Sequence, residues 1–297
     1  MQVDKRTLWQ QFGKHGYICD RQLITTIFLA LRLDKPLLIT GAPGVGKTEI
    51  AKVLAKCFDT NLIRLQCYEG LDENKALYEW NYQKQLLRIQ MSKAPDNNGI
   101  TEEKLFSRDY LLERPLLQAI NSDKKQVLLI DEIDKTDEEF EAFLFELLSD
   151  FQISIPEMGT ISAKQIPIVV LTSNGERALS DGLKRRCVFL YIDYPSIEKE
   201  LAIIRSRVPE AGEKLSHEIA QAMAFIRREL NLQKTPAIAE TIDWVRALIA
   251  LDADRLTSDA IKDTETVIFK DQDDVVTFNN QIGPEGLYGH VRQHSEM

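Results

Sequence analysis

The stretch LLITGAPGVGKTEIAKVLAKCF, residues 37–58, carries three patterns in succession. Leu37, Leu38 and Ile39 form an apolar run of strand type, glycines then punctuate a short loop, and Ile50, Val53, Leu54 and Phe58 recur at helical spacing. Strand, glycine loop and helix in this order make a cradle for phosphate. Glycines let the backbone curl until successive N–H groups converge on an anion, and the helix N-terminus adds the positive end of its dipole. Gly41, Ala42, Pro43, Gly44, Val45 and Gly46 are therefore expected to wrap the phosphates of a nucleotide. Lys47 would reach the β- and γ-phosphates, and the Thr48 hydroxyl would sit on Mg2+. ATP and Mg2+ are the implied cofactors. GTP is disfavoured, because no Asn-Lys-x-Asp base-reading motif follows the fourth strand.

A second motif bears on hydrolysis. QVLLIDEIDKTDEEF, residues 126–140, reads as a strand apolar on both faces that ends in Asp131 and Glu132, as the middle of a parallel sheet requires. Ligands of open α/β sheets collect at such strand ends. Asp131 is expected to hold Mg2+, through water, and Glu132 to act as general base on the attacking water. The Thr136-x-x-Glu139 pattern reads as a capping box for the next helix. FQISIPEMGTIS, residues 151–162, reads as a β-hairpin, a packing flap or more. IPIVVLTSN then ends a second apolar strand on Asn174, either an amide that orients the lytic water or an ordinary turn residue.

With 297 residues the chain fits one large domain or two ordinary ones. A formal net charge of −9 argues against a broad phosphate-backbone surface, so nucleic acid is a minority partner. The four cysteines form no CxxC pair, and none lies near a histidine at metal-ligand spacing. The opening MQVDKRTLWQQFGKHG has no apolar core of signal-peptide length, and no stretch approaches the roughly 20 apolar residues of a membrane span. A cytoplasmic location is expected.

GAPGVGKT, LLIDE, TSN and the RRC step, in this order, resemble the Walker A, Walker B, sensor 1 and arginine-finger elements of an AAA+ ATPase. The short hairpin before TSN and an extra segment at about 71–90 resemble the helix-2-insert group, specifically its MoxR branch. Within that branch, DEIDKTDEEFEAFLFELLSDFQISIPEMGTI, LKRRCVFLYIDYP and TPAIAETIDW are similar to the subgroup for maturation of carbon monoxide dehydrogenase-type molybdenum hydroxylases. The resemblance implies a P-loop α/β parallel-sheet core over residues 1–195 and an all-α lid over 196–297. It also implies a ring, in particular a hexamer, acting on a protein client. A molybdenum hydroxylase and a von Willebrand A-type adaptor are the implied partners. Tyr17 and Ile18 would line the adenine pocket by resemblance, or belong to the core.

GLKRRCVFLYIDYP, residues 182–195, places Arg185 and Arg186 at the start of the last core strand, opposite the edge that carries Asp131, Glu132 and Asn174. Such arginines do not reach their own nucleotide. In AAA+ rings that corner faces the neighbouring subunit, where an arginine stabilises transition-state charge. By resemblance Arg186 is the finger and Arg185 its backup or an interface partner; two solvated surface arginines are the alternative. One departure stands out, since the position of the usual sensor 2 arginine is taken by Glu240.

Lid helices are expected over 196–205, 216–228 and 236–251, with Pro236 in a first turn. One more is expected over 257–278, then an irregular tail from Asn279. In the insert, Tyr78, Trp80 and Tyr82 alternate as in a strand with one aromatic face. Two other functions share part of these signals. A monomeric P-loop small-molecule kinase leaves Glu132 and Asn174 without a role, and a DNA-associated AAA+ ATPase or loader shares the ordered motifs.

Overall fold

The computed structural model describes residues 4–92, 105–156 and 158–295. In the first half the elements are α1 (Lys5–Lys14), α2 (Arg21–Arg32), β1 (Leu37–Gly41), α3 (Lys47–Cys57), β2 (Leu62–Gln66), α4 (Glu73–Ala76), β3 (Tyr78–Trp80), α5 (Tyr82–Ser92), β4 (Leu111–Glu113), α6 (Pro115–Asn121) and β5 (Val127–Asp131). Then follow α7 (Glu138–Asp150), β6 (Gln152–Ile155), β7 (Gly159–Ser162), β8 (Ile168–Ser173), α8 (Asp181–Arg186) and β9 (Val188–Ile192). The chain continues as α9 (Ile197–Arg207), α10 (Glu213–Glu229), α11 (Ile238–Ala250), α12 (Ser258–Ile268), α13 (Gln272–Gln281) and α14 (Gly283–Ser295).

These elements gather into two compact units. One takes the described residues of Met1–Trp9, Asp20–Thr40 and Thr48–Tyr191, and the other takes Gln10–Cys19, Gly41–Lys47 and those of Ile192–Met297. The first is built on a five-stranded sheet in the order β2-β5-β8-β1-β9. The β2–β5, β5–β8 and β8–β1 pairs are parallel. β5 and β8 are buried along their whole length, as their uninterrupted apolar runs require. Register sets Ile130 beside Leu171, so the chain leaves both strands at the same edge of the sheet. β9 begins where β1 begins, with the Val188 N–H donating to the Pro36 carbonyl over 2.8 Å.

Several local expectations are corrected. The cap of α7 is Asp137, whose carboxylate accepts from the Phe140 N–H. Thr136 instead turns its hydroxyl to the Ile133 carbonyl. In the insert, Tyr78 and Trp80 are buried on β3, but the strand stops there. Asn81 ends it, because its side-chain oxygen accepts from the Lys84 N–H and starts α5, leaving Tyr82 exposed on that helix. The hairpin of β6 and β7 forms as expected, with Ile153 opposite Ile161.

In the second unit, α9 to α14 pack around Ile219, Met223, Trp244, Leu248, Phe278 and Leu287. Pro236 precedes α11 rather than sitting in its first turn, since Ala237 is the N-cap. The single helix expected over 257–278 is two, because Asp271 caps a fresh start by accepting from the Asp273 N–H. The tail from Asn279 is not irregular. α14 carries Leu287 and Val291 into the core, and their burial outweighs the poor helix propensity of Gly286 and Gly289.

Candidate phosphate and metal site

The glycine loop joins β1 to α3. Gly41, Gly44 and Gly46 all have positive φ, which lets the loop turn its backbone inward ahead of the α3 N-terminus. At Gly41 and Gly44 space also demands glycine. A Cβ at Gly41 would lie 2.2 Å from the Ile192 carbonyl oxygen, and one at Gly44 would lie 2.9 Å from the Ala237 Cβ. Lys47 is buried, and its ammonium donates to the carbonyls of Gly41 and Ala42, 2.7 Å each. Val45 packs inward, while Pro43 is exposed. Tyr17 stands edge-on to Phe12, with its hydroxyl 3.9 Å from where a Gly46 Cβ would be; Ile18 is half-buried.

Thr48, in the first turn of α3, donates to Asp131 Oδ1 over 3.0 Å. Thr172 on β8 donates to the same oxygen over 2.5 Å. Asp131 itself is almost fully buried. A threonine hydroxyl and a carboxylate side by side are hard oxygen donors of the type Mg2+ takes, and the backbone cradle suits a polyphosphate, so these residues fit a magnesium nucleotide.

Glu132 follows in a left-handed backbone conformation at φ +59°, which turns the chain sharply at the strand tip. Its N–H donates to Thr172 Oγ1 over 2.9 Å. Its Oε2 accepts from Gln66 Nε2 over 2.9 Å and from Lys135 Nζ over 2.7 Å. That bond, followed by the Glu132 charge, holds the Lys135 pKa above the usual lysine value. Asn174 comes just past β8, and its N–H donates to Asp134 Oδ2 over 3.0 Å. Asp131, Glu132 and Asn174 thus share one edge of the sheet.

Four neighbours of this edge escaped the sequence reading: Arg64, Gln66, Thr172 and Lys135. Arg64 Nη2 donates to Asp131 Oδ2 over 2.5 Å. The alternation of LIRLQ puts Arg64 and Gln66 on one face, yet nothing in that short run says what the face meets. Thr172 and Lys135 lay inside motifs already singled out, and their partners are legible once the register of β5 and β8 is known.

The arginine pair lies elsewhere. Arg185 and Arg186 are the last two residues of α8 rather than the first of the strand, at the end where β9 starts. Arg186 is tethered within its own chain. Its Nε donates to Ser149 Oγ over 2.6 Å, its Nη1 donates to the Gly182 carbonyl over 2.9 Å, and its guanidinium stacks 4.3 Å from the Phe145 ring centre. Arg185 is exposed, and its side chain makes no hydrogen bond or ion pair among the described residues. Glu240, in the second unit, accepts from the Ala237 N–H over 2.9 Å and so caps α11.

Among the described residues no helix is long and apolar enough to cross a membrane. An uncharacterized protein of Staphylococcus aureus is 27% identical over 246 residues, spanning 80% of this chain and 84% of that protein. The chaperone protein ClpB of Bacillus cereus is 27% identical over 148 residues, 48% of this chain and 14% of ClpB. A single-residue variant of RuvB from Thermotoga maritima superposes over 91% of this chain and 72% of that one, with 21% identity and a TM-score of 0.51, a likeness of fold. Residues 36–187 match the family model described as AAA domain, dynein-related subfamily. With its ordered phosphate loop, paired strand-tip carboxylates and five-stranded sheet, the chain belongs to this dynein-related subfamily of AAA domains.

Proposed function

We propose that this protein is an ATP-hydrolysing AAA+ protein of the MoxR type that works as a ring, a hexamer, to remodel a protein client. The observation that carries the ATPase reading is the meeting of Thr48 and Asp131 at 3.0 Å with Glu132 next in the chain. Oxygen donors for a metal lie beside a carboxylate able to take a proton.

In this reading Lys47 and the N–H groups of residues 41–48 bind the β- and γ-phosphates, and Tyr17 and Ile18 lie against the base. Thr48 and Asp131 hold Mg2+, which when bound neutralises charge on the transferring phosphoryl group. Glu132 takes a proton from water as the water oxygen bonds to the γ-phosphorus and the bond to the β–γ bridging oxygen breaks. Asn174 orients that water. The Arg185–Arg186 corner serves the site of the neighbouring copy, with the untethered Arg185 making the reach and Arg186 fixing the end of α8. Residues 1–195 act as the nucleotide-binding core and 196–297 as the lid, which carries Glu240 where relatives of this type carry a cation.

The similarity to a chaperone supports remodelling of a protein, and the net charge of −9 argues against a nucleic-acid track. The insert at 71–90 and the hairpin at 151–162 are the client surfaces, since the phosphate chemistry requires neither. A cytoplasmic molybdenum hydroxylase as client and a von Willebrand A-type adaptor rest on the resemblance alone. The test uses two variants. Lys47→Ala should lose nucleotide binding, whereas Glu132→Gln should bind ATP without turning it over and retain its client from native cell extract with ATP but not ADP. Full turnover by Glu132→Gln would remove the general-base assignment, and recovery of nucleic acid alone would overturn the protein client.

A further inference from the structure

In the second unit α14 carries the run HVRQH, residues 290–294. Positions four apart share one face of a helix, so His290 and His294 stand one above the other. Their ring centres lie 4.3 Å apart with a 36° tilt. His290 also meets Phe225 of α10, at 4.1 Å between ring centres. Val291, next to it, is buried in the helical core and fastens this turn in place.

The protonation of both rings suits a ligand. His294 Nδ1 lies 2.9 Å from the His290 carbonyl oxygen, which can only accept, so Nδ1 carries the hydrogen. In the neutral ring the lone pair is then on Nε2, as in a metal-binding histidine whose other nitrogen donates to a backbone carbonyl. His290 is half-buried. Burial first, then the charges of His294 and Arg228, hold its pKa below the usual imidazole value against an opposing pull from Glu229. Neutral imidazole is the form that binds a metal. Neither ring nitrogen of His290 nor Nε2 of His294 has a hydrogen-bond partner among the described residues.

We infer that His290 and His294 form an open two-imidazole site for a divalent transition cation of the Zn2+, Ni2+ or Cu2+ class. Imidazole suits these ions, whereas Mg2+ and Ca2+ take oxygen. The pair therefore differs in chemistry from Thr48 and Asp131. Among the described residues no cluster of three or more His, Cys, Asp or Glu forms a metal cage, so water completes the shell of the cation. Val291 stands where the helix-borne motif His-Glu-x-x-His has its general base, so the site binds a metal without supplying a carboxylate for hydrolysis. A cation held across one turn ties the end of α14 together and strengthens the seat of Leu287 and Val291 on the core.

The experiment uses the full chain without nucleotide. Cu2+ followed by electron paramagnetic resonance should show one bound ion per chain, its spectrum split by two imidazole nitrogens. Zn2+ should raise the melting temperature, because it binds the folded chain preferentially. His294 is exposed, so His294→Asn should fold as the parent does, bind Cu2+ at least about tenfold more weakly and lose the Zn2+ shift. His290→Asn should weaken Cu2+ likewise, whereas His217→Asn, on α10, should leave it unchanged. Mg2+ should act alike on the parent and on His294→Asn. Unchanged Cu2+ affinity in a folded His294→Asn, or a parent spectrum with one nitrogen or none, would overturn the inference. An equal loss in His217→Asn would also overturn it, as diffuse binding by surface histidines.

Discussion

Thr48 and Asp131, 83 positions apart in the chain, meet hydroxyl to carboxylate at 3.0 Å. The contact sets a hydroxyl oxygen from the helix after the glycine loop against a carboxylate oxygen from a central strand. Thr48→Val keeps the shape and removes the oxygen. Its affinity for ATP with Mg2+ should fall at least tenfold, while its affinity for ATP in excess chelator should hardly change, and Thr48→Ser should restore the difference. Fluorescent-nucleotide titration with and without Mg2+ reads both. Equal losses in the two conditions would mean that Thr48 packs the loop rather than serving the metal.

Turnover per subunit should rise with protein concentration, because the proposed site draws an arginine from a second copy. Removing an arginine that stabilises transition-state charge costs about 10³-fold or more in rate. Arg185→Ala should show that loss with unchanged melting temperature. Arg186→Ala should also melt earlier, because it loses Ser149, the Gly182 carbonyl and the Phe145 ring together. Mixing Arg185→Ala with Lys47→Ala subunits should recover part of the activity, since an intact Lys47 site can then receive an intact Arg185. A monomer with concentration-independent turnover would exclude the shared site.

Within the helical unit, stability should depend on Arg227. This side chain is 6% exposed and pairs in a fork with the fully buried Glu200, at 2.7 and 2.9 Å. It also donates to Thr241 Oγ1 and to the Pro236 carbonyl just ahead of α11. Breaking such a pair from one side leaves a buried charge alone, at a cost of about 3–5 kcal/mol. Arg227→Met should show that loss in urea unfolding. Arg205→Met, at the exposed pair with Glu213, should stay within about 1 kcal/mol. Equal costs at the two sites would contradict the role given to burial.

Burial pushes the thiols of Cys67 and Cys187 up to about 12, and the charges of Asp131, Asp134 and Glu132 add to the effect at Cys67. At about pH 8 their thiolate fraction is on the order of 10⁻⁴, so the native protein should resist alkylation there and react fully once unfolded. The linkage has the same sign. Above about pH 9 the unfolded thiols lose protons before the folded ones, so these groups should lower stability as pH rises toward 12. Peptide mapping after iodoacetamide and melting curves across that range check the two statements; rapid native labelling of Cys67 would contradict its burial.

Much of the layout of the candidate site was legible because its parts are continuous in sequence. Residues 37–58 contain their own strand, loop and helix, and the apolar runs ending at Asp131 and Asn174 could hardly be anything but central strands. The errors fell where one side chain competes with a pattern. Asn81 ended the aromatic alternation of the insert by capping α5, and Asp137 took the cap expected of Thr136. The glycine-rich tail is helical because Leu287 and Val291 find a core there, a contact that no local rule contains.

The sequence by itself determined the order of the glycine loop and the two strand tips, because each is written in consecutive residues. Tertiary structure alone decided which partners those residues keep. The register of β2 against β5 brings Arg64 and Gln66 to Asp131 and Glu132, and the packing of α7 against α8 ties down Arg186 while leaving Arg185 free among the described residues. The physical reason is reach. Backbone patterns act over a few residues, whereas a hydrogen bond between side chains depends on strands and helices that the chain brings together only after it has folded.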